Sequence, residues 1–249
     1  MDKDIKEILD LMGEIKPKEQ QLLHNAFNFA KSAHEGKNRL SGEPYFFHVF
    51  ETAKILASMG MDTQTVVAGL LHDVLEDTPT SEEILEKEFG ADIVFLVKGV
   101  TKLGTLKYRG HERHVESLRK FFMAMALDLR VVIIKFADRL HNLRTLQYNL
   151  EHKRARIAIE SIEVYAPLAN RLGMGKLKGE LEDAAFPYAY PKEYSQVEDI
   201  IKEKKDLFEK YLTEIKEKLE TELKKQKVKF SEIYYRVKHK YSLYQKLLK

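Results

Sequence analysis

The apolar run Val66-Val67-Ala68-Gly69-Leu70-Leu71 passes directly into His72-Asp73-Val74-Leu75-Glu76-Asp77, so four metal-binding or proton-handling side chains follow a stretch that has to be buried. Read as one helix, His72 and Glu76 stand one turn apart, as do Asp73 and Asp77, and all four crowd one end of one face. Carboxylates buried beside an imidazole are strongly unfavourable unless something compensates them, and a bound divalent cation is the simplest compensation. This cluster limits the chain to folds that bury a polar centre among helices.

The same pattern recurs. Val131-Val132-Ile133-Ile134-Lys135-Phe136-Ala137 leads into Asp138-Arg139-Leu140-His141-Asn142-Leu143-Arg144, with Asp138 and Asn142 one turn apart and Thr145 continuing the face. Upstream, Ser41-Gly42-Glu43-Pro44 reads as a turn that delivers Pro44 to the first turn of a helix carrying His48 among Tyr45, Phe46, Phe47, Val49 and Phe50. His48, His72, Asp73 and Asp138 make a nitrogen-and-oxygen ligand set without thiolate, which suits Mn, Fe, Co or Zn and does not choose among them. His141 lies beside the Asp138 and Asn142 face, displaced by roughly 60°, which points to a supporting role rather than ligation. His24 reads as a packing residue, and His34 as a possible flank of the pocket with no role assigned to it.

Most of the chain has helical periodicity, with Leu22, Leu23, Phe27 and Ala30 as one apolar stripe and others around His48, Ala68, Phe121, Ile133 and Ile157. Lys98 to His114 is the main irregular stretch, where Gly99, Gly104 and Gly110 alternate with Lys98, Lys102, Lys107, Arg109 and Arg113. It reads either as a solvated loop or as a flap offering cations to a polyphosphate. The pattern changes near Tyr188-Ala189-Tyr190-Pro191. From Lys192 to about Lys224 the spacing gives an amphipathic helix with a densely charged outer face, and Val228 to Val237 alternates as a strand would.

At 249 residues, 44% hydrophobic and 33% charged, the chain has the composition of a water-soluble globular protein with one substantial core and a smaller appended unit. It has no cysteine, no apolar segment of membrane-spanning length, and a start, Met1-Asp2-Lys3-Asp4, unlike a secretory signal. These features favour a cytoplasmic location. The net charge of +3 is too small and too evenly spread to argue for nucleic-acid binding.

Four strings together resemble the hydrolase domain of the RelA/SpoT homologues, enzymes of the (p)ppGpp alarmone cycle with an HD domain: Arg39 to Tyr45, His72 to Thr78, Gly99-Val100-Thr101-Lys102, and Lys135 to Thr145. The resemblance runs from about residue 20 to the end of the chain. It implies a mainly α fold: an HD-domain helical bundle over residues 1–187, then linker helices and the truncated start of an α+β synthetase-like domain over 188–249. It makes His48, His72, Asp73 and Asp138 the ligands of one Mn2+ and gives Glu76 and Asp77 water activation and proton transfer. Arg39, Ser41, Asn142 and Thr145, joined by Lys102, would hold the guanosine nucleotide. The implied reaction removes the 3′-pyrophosphate of (p)ppGpp, leaving GDP or GTP.

Leu40 stands where relatives often carry a polar or basic residue, which puts one substrate contact in doubt, and Val49 and Asn170 also depart from the common residues, without removing a ligand. Arg236-Val237-Lys238-His239-Lys240-Tyr241-Ser242-Leu243-Tyr244-Gln245-Lys246 resembles the opening of the synthetase domain, in which Arg236, Lys238, Ser242 and Lys246 would belong to a triphosphate site. Without the carboxylates and acceptor pocket that such a site needs, the chain is expected to degrade alarmone and not to make it, and to be a fragment of a longer protein. Any ribosome association would belong to that longer protein and not to this segment. Two rivals remain: another HD nucleotide phosphohydrolase, of the kind whose range extends to NADPH, and a catalytically silent nucleotide-binding regulator.

Overall fold

The structure, a computed structural model, describes residues 3–104, 119, 121–234 and 238–247. It is built from helices: α1 (Lys3–Met12), α2 (Pro17–Ala33), α3 (Phe46–Ser58), α4 (Thr63–Leu71), α5 (Val74–Asp77), α6 (Glu82–Phe89), α7 (Ala91–Gly104), α8 (Leu129–Arg144), α9 (Glu151–Glu160), α10 (Ala166–Arg171), α11 (Gly175–Ala189), α12 (Pro191–Lys225) and α13 (Lys240–Leu247), with a further helical stretch at residues 121–127. The starts follow local chemistry. Asp62 accepts from Thr65 N at 3.0 Å to cap α4, Asp128 accepts from Arg130 N at 2.8 Å to cap α8, and Pro17 and Pro191 occupy first turns, where a missing N–H costs nothing.

α4 is the central rod. Every residue from Val66 to Leu71 is buried, because α4 packs against α2, α3, α7 and α8 on all sides. α3 lies between α4 and α8, and Phe27 of α2 meets Phe46 and Phe50 of α3 edge-on at 5.0 and 6.0 Å. The apolar stripe at Leu23, Phe27 and Ala30 is buried as its spacing predicts. The site therefore forms where the ends of α4 and α8 and the start of α3 come together.

Three local expectations need correction. His72 to Asp77 is not part of one continuous helix: α4 ends at Leu71, and α5 begins only after Asp73. The His72 ring takes the Gly69 carbonyl at 2.8 Å, a side-chain bond that competes with continuing the helix. The stretch opening at Lys98 is not irregular at first, since α7 runs on through Gly99 to Gly104. Gly99 is there for close packing: a Cβ would lie 2.7 and 2.9 Å from the two Val131 methyls of α8. Lys107, Arg109, Gly110 and Arg113 lie outside the described residues.

Last, residues 228–234 form no strand, and the isolated Asn38–Pro44 bridge is the only β pairing among the described residues. An alternating segment with no neighbouring strand has nowhere to place its backbone bonds. The expected α+β character of the second unit is thus absent from the described residues. α11 runs past residue 187, and α12 starts at Pro191, where the sequence pattern changes. α12 leaves Tyr211, Ile215 and Leu219 exposed. α13 docks on α11 through Tyr241, buried 5.3 Å from Phe186, and through Asp183, which accepts from His239 Nδ1 at 2.8 Å and from Tyr241 N at 3.0 Å.

The contact at Gly99 supplies a stability test. Alanine would gain up to ~1 kcal/mol of helix propensity, but it forces α7 away from a stiff, buried valine, which costs ~1–3 kcal/mol. Gly99→Ala is expected to lower the urea midpoint, and Val131→Ala in the same chain should recover part of the loss. A more stable Gly99→Ala protein would show that the contact yields freely.

Candidate metal centre and the adjoining cleft

The turn Asn38–Pro44 sets the site's outer edge. Arg39 N donates to Glu43 O, and Gly42 N to Arg39 O, both at 2.9 Å. Gly42 has φ +87, a left-handed conformation that favours glycine, so the loop folds back sharply and turns Arg39 toward α8. α3 follows, with Tyr45 as N-cap rather than Pro44 in its first turn, and places His48 inside.

His48, His72 and Asp138 are all buried, and one ligand atom from each falls within 4.8 Å of the others. His48 Nε2 lies 3.3 Å from Asp73 Oδ2 and 3.3 Å from Asp138 Oδ1. His72 donates from Nδ1 to Gly69 O, which leaves Nε2 aimed at the carboxylates, 3.1 Å from Asp73 Oδ1 and 3.9 Å from Asp138 Oδ1. That Nε2 has no hydrogen-bond partner despite being buried. An orphaned imidazole nitrogen facing two carboxylates with a second imidazole alongside is a donor set that fits a divalent cation.

The electrostatics agree. Burial works against charge on His72, but Asp73 and Asp138 outweigh it and push its pKa up to about 9. Burial likewise opposes the Asp73 carboxylate, yet His72 and His48 hold its pKa well below the usual range, and Lys135 with the same histidines does this for Asp138. A cation must displace the His72 proton, so its binding should strengthen as pH rises.

Glu76 is exposed at the mouth of the cluster. Partial burial, then the Asp73 charge, raises its pKa, which makes it a readier proton carrier than an ordinary glutamate. Asp77 is half-buried one residue on. Beside the cluster opens a cleft of about 310 Å³ whose lining includes Arg39, Ser41, Tyr45, Thr145, Tyr148 and Asn149. Arg39 donates to Asn142 Oδ1 at 2.6 Å and to Thr145 Oγ1 at 3.2 Å, and Asn142 in turn donates to Asp138. The structure thus gathers Arg39, Asn142 and Thr145, although 103 and 106 positions separate the arginine from the other two. Ser41 lines the cleft but donates to Glu43 Oε2 at 3.1 Å within its own turn.

Lys102 is not gathered with them. It lines a neighbouring groove with Lys98, Leu103 and Met123. Ser242 and Lys246 stand one turn apart on α13, Lys238 is exposed ahead of it, and Arg236 lies outside the described residues.

Two residues escaped the sequence reading. Tyr45 donates from its hydroxyl to Asp73 Oδ2 at 2.8 Å, and its ring stacks on buried His34 at 5.0 Å. Lys135 donates to Asp138 Oδ2 at 2.7 Å from a side chain only 15% exposed. A lysine inside Ile133-Ile134-Lys135-Phe136 was a readable signal, since a buried ammonium requires a partner. Nothing local distinguished Tyr45 from an ordinary core aromatic.

The HD-domain family model matches residues 26–175. A guanosine-3′,5′-bis(diphosphate) 3′-pyrophosphohydrolase from Aquifex aeolicus is 43% identical over 97% of this chain and 34% of its own length. A GTP pyrophosphokinase from Streptomyces coelicolor is 42% identical over 91% of this chain and 26% of its own. Among solved structures, a metazoan SpoT orthologue described as hydrolysing ppGpp aligns with a TM-score of 0.54 and 28% identity, over 70% of this chain and 96% of that one. The chain therefore spans about a third, or less, of the length of these curated relatives. No described helix is long and apolar enough to cross a membrane.

Proposed function

The chain belongs to the HD-domain family, in its RelA/SpoT branch, and on that footing we propose that it hydrolyses the 3′-pyrophosphate of (p)ppGpp to GDP or GTP and pyrophosphate. The observation that carries this reading is the buried His48, His72 and Asp138 group beside a cleft lined by Arg39 and Thr145, with Asn142 bonded to Arg39. Those three groups with Asp73 would hold a divalent cation, here assigned as one Mn2+. When bound, it acidifies water and polarises a phosphate oxygen. Residues 1–187 are taken as the hydrolase unit and 188–249 as the start of a second one. A cytoplasmic location goes with this reading.

The roles follow from position. Arg39 and Thr145 face the cleft and suit a phosphate and a sugar hydroxyl, while Asn142 ties that edge to Asp138. Glu76 and Asp77, which follow the ligands His72 and Asp73 on α5, would take a proton from the attacking water and deliver it to the leaving ribose 3′ oxygen. Tyr45 holds Asp73 and Lys135 holds Asp138, which keeps both carboxylates oriented.

The deciding experiment is turnover of a nucleotide panel with Mn2+. A site that reads phosphate on the 3′ as well as the 5′ side should discriminate against GTP, which carries no 3′ phosphate, and so favour ppGpp by at least ~100-fold in kcat/KM. Equal turnover of GTP and ppGpp would reject the assignment, and a clear preference for NADPH would transfer it to the related phosphatase reading.

A further inference from the structure

His48 and His141 meet nitrogen to nitrogen, with Nδ1 of each ring 2.7 Å apart. Since His48 Nε2 faces Asp73 and Asp138, a cation held there needs the Nε2 lone pair, and the proton of the neutral His48 ring belongs on Nδ1. His48 therefore donates and His141 Nδ1 accepts. Arg39 Nη1 lies 3.2 Å from that same His141 nitrogen, and a guanidinium can only donate. Two donors, one in the metal cluster and one in the cleft, share a single lone pair of a buried side chain.

We propose that His141 is a positioning residue that couples the nucleotide cleft to the metal centre, by sharing one Nδ1 lone pair between the ligand His48 and the cleft arginine Arg39. A bond accepted from the outer nitrogen of a ligand histidine fixes its tautomer and raises its basicity. When Arg39 turns to a substrate phosphate, the lone pair passes wholly to His48 and the cation is held more tightly. Linkage makes the effect reciprocal, so the bound cation also favours the arginine's release toward phosphate. The inference rests on His48 being a metal ligand, as proposed above.

The test is calorimetric titration with Mn2+ alone, which needs no substrate and no turnover. His141→Phe, which keeps the ring volume without an acceptor, should weaken Mn2+ binding ~10–100-fold. His141→Asn, whose amide oxygen stands near the place of Nδ1, should recover most of that loss. Arg39→Met should tighten Mn2+ binding in the native background and do so at least threefold less in the His141→Phe background. This cycle removes the plain effect of deleting a nearby cation, because that effect is common to both arms. If His141→Phe does not fold, His141→Gln, whose oxygen reaches toward the Nε2 position instead, takes its place with the same expected loss. Native Mn2+ affinity in the acceptor-less variant, no recovery by asparagine, or an additive cycle would each overturn the proposal. A native chain that binds no Mn2+ would overturn the metal assignment itself, and this inference with it.

Discussion

Asp73→Ala and His72→Ala should each bring ppGpp turnover to background and leave the protein unable to retain Mn2+. Both residues point into a buried centre where His48 Nε2 and Asp138 Oδ1 already converge. The loss should exceed the ~10–100-fold typical of residues that merely support a ligand. Asp73→Ala also removes one acceptor of the Tyr45 hydroxyl, which leaves that half-buried donor to Asp77 and costs some stability besides. Metal content, turnover and thermal unfolding should therefore be measured on the same preparations, so that lost metal is separated from lost fold. Undiminished activity of the native chain after exhaustive chelation would sink the metal-dependent mechanism outright.

Glu76→Gln and Asp77→Asn should behave differently, retaining Mn2+ at native stoichiometry while losing ~10²–10⁴-fold in rate. The contrast follows from placement: α5 carries both carboxylates past the ligands, with Glu76 exposed and Asp77 half-buried. Glutamine keeps the size and hydrogen bonding of Glu76 but cannot take up a proton, so a drop in kcat without a change in metal or KM isolates proton transfer. Loss of metal from the Glu76→Gln protein would instead make that residue a ligand. Native rates in both variants would remove the pair from the mechanism and favour the silent-regulator reading.

Much of this was legible in the chain. The apolar stripes of α2 and α4 and the four residues that meet in the centre are local signals, since each depends on neighbours within a turn or two. The errors share a cause. Gly99 looked like a loop residue because glycine usually marks one, yet its missing Cβ serves the approach of α7 to α8. The alternation after Val228 looked like a strand because it has the right period, but period does not supply a partner strand. His72 to Asp77 looked continuous because the helical spacing is nearly kept across the break between α4 and α5.

The sequence by itself determined the helical class, the ligand types and the family, because helix formation and metal chemistry depend on which residues lie a few positions apart. Only the tertiary structure decided which atoms face the cation and which side chains hold them there. His48 and His141 are 93 positions apart, Arg39 and His141 102, and Tyr45 and Asp73 28, and their bonds exist because α3, α4 and α8 pack at one place. A hydrogen bond needs its partners within about 3 Å and aligned. Separation along the chain says nothing about that distance until the helices have closed on a common core.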